Sequence, residues 1–186
     1  MARDTAAGAQ VVEHVRREIE AGPPPAYVGF GSMSSEDPDQ TTRLILEALA
    51  LSGQRGIVQA GWGAVSSALL PPSVYVLESA PFSWLFPRVA AVVHHGGAGT
   101  TAAALRSGVP AVVVPFFGDQ PFWGSRVASL GVSPPPIPRR RLTAERLAQA
   151  IQSALTDTVM RQQAAALGER IRGENGVARA VEVIEW

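Results

Sequence analysis

Short apolar runs alternate with helical patterns along this sequence, and this alternation constrains the fold more than any other feature. The runs have four to six residues and predict buried strands at 26–31, 56–60, 74–77, 90–94 and 111–114. Strands this short that are apolar throughout are typical of a parallel sheet covered on both faces. The sequence therefore predicts an α/β domain, a doubly wound parallel sheet of the Rossmann-like kind.

The helices are marked by amphipathic spacing and by the residues that begin or end them. The spacing predicts helices at 10–20, 39–51, 100–106, 122–130 and 143–155, a short aromatic turn at 82–86 and a mostly helical tail from 157. Gly108 stands where a helix commonly ends in a left-handed residue, and Thr143 stands where an N-cap is expected. The prolines after Gly22 end the first helix. We therefore expect a helical lead-in at 1–22 and one domain at 23–186.

Composition excludes several classes of function. The chain of 186 residues has no cysteine, which excludes disulfides and thiolate catalysis. Its formal net charge is zero, so no overall field attracts nucleic acid or an anionic membrane surface. The longest apolar run, 109–117, is too short to span a bilayer, and MARDTAAGAQ at the N-terminus lacks the apolar core of a signal peptide. We expect a cytoplasmic, soluble domain in which the proline- and arginine-rich loop 134–141 is solvated.

Glycines and polar residues follow four of the predicted strands, at the sheet edge where doubly wound domains bind ligands. These stretches are GFGSM at 29–33, GWG at 61–63, HHGGAGTT at 94–101 and PFFGDQ at 115–120. Glycines let backbone N–H groups approach a ligand closely, and the helix that follows adds partial positive charge at its N-terminus. The third stretch therefore predicts a phosphate cradle that needs no metal ion.

Simpler structural roles stay open for several of these residues. Strand alternation turns His94 into the sheet packing, so we assign it a structural role. Thr100 or Thr101 is expected to cap the following helix, with or without a phosphate contact. A helix cap explains Asp119 as well as a ligand contact does. The neighbouring aromatic side chains are expected to pack in the core or at its rim: Trp62, Trp84, Phe116 and Phe117.

Between His95 and Gln120 the sequence resembles the donor-binding signature of the family that includes plant secondary-product, sterol and antibiotic glycosyltransferases. The signature residues fall in one register on His95, Gly97, Thr100, Gly108, Pro110, Pro115, Asp119 and Gln120. Outside the signature, similar stretches are PAYVGFGSM at 25–33, Gly61-Trp62 and APFSWLFPRV at 80–89, which resemble the sterol-type and bacterial members. The resemblance covers nearly everything from Gly22 onward. It implies the C-terminal, donor-binding half of a two-domain GT-B enzyme.

The resemblance also implies a role for each matching residue. The diphosphate of a nucleotide sugar would be held by Ser32, His95, Gly97, Ala98, Gly99 and Thr100. The sugar hydroxyls would bind Asp119 and Gln120, and the backbone around Ala80 and Phe82 would meet the uracil edge. The implied chemistry is direct displacement at the anomeric carbon of a hexose, glucose by preference, with inversion and with no metal or other cofactor. The cradle would stabilise negative charge on the departing nucleoside diphosphate.

Two positions depart from the plant members of the family. Ala103 stands where they carry a ribose-binding Glu, and Glu78-Ser79 lies where a Trp stacks on uracil. Sterol-type and bacterial members often lack both, so the resemblance is unaffected. The likeness of FFGDQ at 116–120 to sterol glucosyltransferases favours UDP as the nucleotide, and dTDP is the alternative.

Length raises a separate expectation about partners. Family members carry an acceptor domain before the equivalent of Gly22, and it supplies the general base, so no residue here is assigned as catalytic. His14 is expected to be solvated. The leading hypothesis is a donor-binding domain that is inactive without an acceptor domain in cis or in trans, as in a split enzyme. A nucleotide-sugar sensor and a UDP-sugar epimerase are the alternatives, and a second copy of the domain is a possible partner.

Overall fold

A computed structural model describes residues 12–13, 15–31, 38–59 and 70–185. Its strands are β1 (Ala26–Gly29), β2 (Gly56–Gln59), β3 (Val74–Leu77), β4 (Ala91–His94) and β5 (Ala111–Val113). They form one sheet in the order β3-β2-β1-β4-β5, and every neighbouring pair is parallel. The predicted parallel sheet is therefore confirmed, with each strand within two residues of its expected bounds.

Helices follow the strands as the amphipathic spacing predicts. They are α1 (Pro38–Ser52), α2 (Phe82–Leu85), α3 (Ala98–Ser107), α4 (Gln120–Ser129), α5 (Ala144–Thr156), α6 (Thr158–Gly173) and α7 (Gly176–Ile184), with 3₁₀ turns at Phe86–Arg88 and Arg139–Arg141. Thr143 caps α5 by accepting from the Arg146 N–H, and Gly108 ends α3 at φ 77°. Both helix boundaries inferred from these residues are confirmed. In the described part of the chain, no helix combines the length and apolar character needed to cross a bilayer.

The sheet is covered on both faces because its strands are buried at nearly every position. Successive residues of β1 point to opposite faces, so Val28 packs in one core and Tyr27 in the other. The first core lies under α1 and α5, which pack against each other. The second lies under α3 and α6, which also pack together. This two-faced arrangement is the doubly wound architecture.

The helical residues 15–20 pack as part of the same body. Val15 is fully buried in the second core, and Ile19 is buried beside it. The Arg55 guanidinium, next to β2, donates to the carbonyls of Ile19 and Pro23 at 3.3 and 3.0 Å. These bonds hold the chain where it leaves the helix and approaches β1.

The loop at 134–141 corrects one expectation, because part of it is not solvated. Ile137 is only 8% exposed and belongs to the first core. Its N–H donates to the Val113 carbonyl at 2.9 Å, and the Arg139 N–H donates to the Pro115 carbonyl at 3.1 Å. β5 is the edge strand, so its outward carbonyls need partners, and this loop supplies them.

Candidate functional site

The strand order places a crevice between β1 and β4. These two strands are neighbours, yet the chain passes from β1 to β2 on one side and from β4 to β5 on the other. Ligands of doubly wound sheets bind at the carboxyl ends of such a pair. The turns that follow β1 and β4 meet there, because a Cβ added to Gly31 would lie 3.3 Å from His95 Cε1. Gly31 also has a φ of 60°, which favours glycine.

His94, the last residue of β4, is buried and holds the turn that follows it. Its ring is fully shielded from solvent, and its Nδ1 accepts the Gly96 N–H at 3.0 Å. Burial, followed by the charge of His95, lowers the pKa of His94 to about 3. The ring is therefore neutral near pH 7 and carries its proton on Nε2, which is buried without a hydrogen-bond partner among the described residues. The predicted structural role of His94 is confirmed.

His95 is half-buried between the two turns. A Cβ at Gly97 would lie 2.5 Å from His95 Nε2, so only glycine at position 97 permits this placement of the ring. The His95 Nδ1 is buried and has no partner in the described parts of the chain. Burial lowers the pKa of His95, and the negative charge of Asp119 acts in the opposite direction. A mainly neutral imidazole that can donate one hydrogen bond therefore stands at the mouth of the crevice.

The helix after β4 begins earlier than its residue types suggest. Gly97 is the N-cap and makes no side-chain bond, and α3 starts at Ala98. The expectation that Thr100 or Thr101 caps the helix is wrong, since both lie inside its first turns and Thr101 Oγ1 donates to the Gly97 carbonyl at 2.9 Å. N–H groups of a first turn have no acceptor within the helix. Those of Ala98, Gly99 and Thr100 thus remain available at the positive end of the helix dipole.

The turn between β5 and α4 is held by the side chain of Gln120. This residue is 5% exposed, and its Oε1 accepts the N–H groups of Phe116 and Phe117 at 2.8 and 3.2 Å. With Oε1 used in this way, any contact from Gln120 to a sugar must come from its amide N–H. The assignment of Gln120 to the sugar stays a prediction.

Asp119 is exposed beside this buried glutamine. It occupies the N-cap position of α4 but makes no side-chain capping bond, so the capping explanation is wrong. Its Oδ2 instead accepts the Trp123 Nε1–H at 2.7 Å. The turn that carries His95 lies against the turn that carries Asp119, because a Cβ at Gly96 would lie 3.1 Å from the Gln120 carbonyl oxygen. Among the described residues, the structure thus brings His95 and the start of α3 close to Asp119 and Gln120, while their roles as ligands stay predictions.

The predicted nucleobase segment lies after β3, at the same edge of the sheet. Phe82 stacks on Phe86 with ring centroids 4.4 Å apart and meets Tyr27 edge-on at 6.0 Å. Its ring therefore supports the second core, which leaves the backbone around Ala80 as the part that could meet a base. Trp84 packs against the same core, as expected for a rim aromatic.

The two phenylalanines of PFFGDQ have different environments. Phe116 packs against Phe30 with centroids 5.4 Å apart, which confirms its packing role. Phe117 is 65% exposed, so the expectation that it packs is wrong. The cause is the conformation of the turn. The backbone N–H groups of Phe116 and Phe117 both bond to Gln120 Oε1, and this leaves the Phe117 ring exposed to solvent. Two predicted residues, Ser32 and Trp62, lie outside the described residues, as does His14.

Three residues of the site have contacts that the sequence pattern did not predict. Gly96 has a φ of 91°, and a Cβ there would lie 2.8 Å from Val113 Cγ1 and 3.1 Å from the Gln120 carbonyl oxygen. Gly31 seats the His95 ring, and Trp123 binds Asp119. The glycine pair Gly96-Gly97 is the sequence signal for the first of these. Within the described ranges, no three His, Asp or Glu side chains form a group that could hold a metal ion.

Comparison with known proteins supplies the family. The family described as "Erythromycin biosynthesis protein CIII-like, C-terminal domain" matches residues 57–182. The chain belongs to this family. Among curated proteins, sterol 3-beta-glucosyltransferase UGT80A2 of Arabidopsis thaliana is 48% identical over 165 residues, which are 88% of this chain and 26% of that protein. A sterol 3-beta-glucosyltransferase of Cryptococcus neoformans is 42% identical over 172 residues, 85% of this chain and 11% of that protein.

Solved structures of glycosyltransferases share the fold of this EryCIII-like domain. The kitacinnamycin glycotransferase superimposes with a TM-score of 0.76 at 30% identity, over 89% of this chain and 43% of that one. The calicheamicin glycosyltransferase CalG4 gives 0.75 at 25% identity, over 87% of this chain and 42% of that one. The resemblance to GT-B C-terminal domains and their Rossmann-like fold is confirmed. The chain spans about a quarter of the length of the plant relatives it matches.

Proposed function

We propose that this glycosyltransferase domain binds the donor in the transfer of glucose from UDP-glucose to a hydroxyl of a small lipophilic acceptor, with inversion and without a metal ion. The observation that carries the proposal is the crevice between β1 and β4. It combines the free N–H groups of a helix N-terminus, a mainly neutral His95 and an exposed Asp119 at one sheet edge. Sterol glucosyltransferases among the relatives support glucose as the sugar and a lipophilic acceptor.

The chemistry follows from where the charges lie. As the bond from the anomeric carbon to the diphosphate breaks, negative charge grows on the leaving group. The N–H groups of Ala98, Gly99 and Thr100 point to that charge with the helix dipole behind them. His95 adds one hydrogen bond. Donors that are fixed before the reaction stabilise such a transition state without reorganising. The positive partial charge of these N–H groups thereby stabilises the leaving group, as a metal ion does in metal-dependent enzymes.

We propose that acceptor activation lies outside these 186 residues. Inversion needs an acceptor hydroxyl in line with the anomeric carbon and a base whose acceptor atom lies within about 2.6–3.2 Å of the hydroxyl oxygen. This chain spans about a quarter of its plant relatives, and we assign the base to the part of such a protein that it does not include. We therefore expect the 186 residues alone to transfer no sugar. A transfer assay with sterol, macrolide and flavonoid acceptors, with and without an added acceptor domain, checks this. Turnover by the chain alone would contradict the assignment.

Donor binding is tested by titrating the chain with UDP, UDP-glucose and dTDP in a calorimeter. We expect EDTA to leave the affinity for UDP and the affinity for UDP-glucose unchanged. We expect dTDP to bind more weakly than UDP. Loss of binding in EDTA would contradict metal independence. Preference for dTDP would contradict the nucleotide assignment.

Two variants separate the diphosphate from the sugar. His95→Ala removes a hydrogen-bond donor to the diphosphate, and losing such a donor typically costs about 1–3 kcal/mol. The binding of UDP and of UDP-glucose should therefore both weaken. Asp119→Ala should weaken UDP-glucose and leave UDP nearly unchanged. If Asp119→Ala weakens both ligands equally, the assignment of Asp119 to the sugar is wrong.

A further inference from the structure

A tryptophan, rather than the helix backbone, orients the carboxylate of Asp119. The Trp123 indole donates to Asp119 Oδ2 at 2.7 Å. The two residues are one helical turn apart, and the Trp123 backbone N–H donates to the Asp119 carbonyl at 3.2 Å. The Phe122 ring meets the Trp123 ring nearly edge-on, with centroids 5.2 Å apart and planes at 75°. The indole thus has a ring contact with Phe122 in addition to its hydrogen bond to Asp119.

Asp119 stands where a carboxylate ordinarily caps a helix, and its geometry prevents capping. A capping residue normally has extended backbone, which lets its side chain reach the N–H groups of the first turn. Asp119 has φ −83° and ψ −7°, and its side chain makes no capping bond. Pro121, the second residue of α4, has no N–H to offer. The Trp123 indole is therefore the hydrogen-bond donor that sets the direction of this exposed carboxylate.

We infer that Trp123 is a positioning residue for the donor sugar, acting through Asp119. This inference rests on the proposed function, which assigns Asp119 to the sugar hydroxyls. An exposed aspartate exchanges between rotamers, and binding a hydroxyl would have to fix one of them. The indole holds Oδ2 before the ligand arrives and leaves Oδ1 for a hydroxyl. A ligand group that is fixed in advance raises affinity for the sugar alone, because the diphosphate contacts do not involve it.

The test compares UDP with UDP-glucose in the 186-residue chain carrying Trp123→Phe, which removes the indole N–H and keeps an aromatic ring. We expect the affinity for UDP-glucose to fall about three- to tenfold and that for UDP to change less than twofold. Trp84→Phe is the matched control, because it removes the same atoms from a half-buried tryptophan on α2. Its ratio of UDP-glucose to UDP affinity should equal that of the unaltered chain. The double variant Asp119→Ala/Trp123→Phe should bind UDP-glucose no more weakly than Asp119→Ala.

Each other outcome has a distinct meaning. If Trp123→Phe keeps the full UDP-glucose affinity while Asp119→Ala loses it, the positioning role is overturned and the proposed function stands. If Trp123→Phe weakens both ligands equally, Trp123 is only a packing residue and the inference is also overturned. If the unaltered chain binds neither ligand, the proposed function fails and this inference fails with it.

Discussion

The turns after β4 and β5 both lead into the N-terminus of a helix, yet their backbones are held by different means. The first depends on glycine: Gly96 has a φ of 91° and Gly97 leaves room for the His95 ring. Two side chains also bond to it: His94 Nδ1 accepts the Gly96 N–H inside the core, and Thr101 Oγ1 donates to the Gly97 carbonyl. The second turn is tied by the Gln120 amide oxygen, which accepts two successive backbone N–H groups.

This difference decides what each turn can present to a ligand. In the turn after β4, the small residues Gly97, Ala98 and Gly99 leave the backbone N–H groups at the start of α3 accessible, and such groups bind anions. In the turn after β5, the buried Gln120 frees its neighbours to point outward, and Asp119 and Phe117 are both exposed. One turn is therefore suited to a phosphate and the other to groups that distinguish one ligand from another.

Gly96→Ala should be the most damaging single change, because the turn after β4 relies on backbone conformation. A side chain at φ 91° is strained, and its Cβ would lie 2.8 Å from Val113 Cγ1 and 3.1 Å from the Gln120 carbonyl oxygen. Strain and overpacking together should lower the free energy of unfolding by about 3 kcal/mol or more. Urea unfolding measures this loss.

Gly173→Ala is the control for that substitution. A Cβ at Gly173 would have no heavy atom within 4 Å, and the residue ends α6 away from the crevice. Its free energy of unfolding should change by less than about 0.5 kcal/mol. Equal effects of the two substitutions would show that the turn tolerates a side chain at position 96.

Gln120→Ala should have the next largest effect, because it removes the side chain that ties the turn after β5. The N–H groups of Phe116 and Phe117 would lose their acceptor, and each such partly buried hydrogen bond typically contributes about 0.5–1.5 kcal/mol. We expect a loss of about 2 kcal/mol in urea unfolding. Gln149→Ala, at an exposed glutamine of α5, should change the free energy by less than about 0.5 kcal/mol. Equal losses would contradict the role of the Gln120 side chain.

The contrast between these turns also shows what the sequence can predict. Strands and helices depend on local spacing, so their succession along the chain and the sheet edge that carries the site could be predicted. The strand order that puts the crevice between β1 and β4 comes from the structure alone. Gln120 binds N–H groups three and four residues earlier through a buried side chain, and no sequence period records such a bond. The start of α3 was misplaced because Gly97-Ala98-Gly99 has the composition of a loop. The burial of Ile137 likewise depends on a distant edge strand.

Acidification should weaken the domain through the turn after β4. The pKa of His94 falls from 6.5 to about 3 on folding, chiefly through burial. Below pH 6.5 the unfolded chain therefore binds a proton that the folded chain does not, so stability is present above that pH and is lost as the pH falls toward 3. His94 alone should lower the free energy of unfolding by about 1.4 kcal/mol for each pH unit between pH 6 and pH 4. His95, whose pKa is also lowered, adds in the same direction.

His94→Asn isolates this contribution from the titration of carboxylates. Its side-chain oxygen can still accept the Gly96 N–H, but the amide does not titrate. The slope of unfolding free energy against pH should decrease by about 1.4 kcal/mol per unit relative to the unaltered chain. An unchanged slope would mean that His94 is protonated in the folded domain.

Phe117→Ser should have the smallest effect on stability, although it removes a large aromatic side chain. The ring is 65% exposed, so little apolar surface returns to water, and the Phe117 backbone N–H keeps its bond to Gln120. Surface substitutions of this kind change the free energy of unfolding by less than about 0.5 kcal/mol. Phe116→Ser is the matched change one residue away, where the ring packs against Phe30 and should cost several times more. Both variants can be compared in one urea series. If Phe117→Ser proved as costly as Phe116→Ser, the turn after β5 would depend on its apolar rings rather than on Gln120, and the contrast between the two turns would fail.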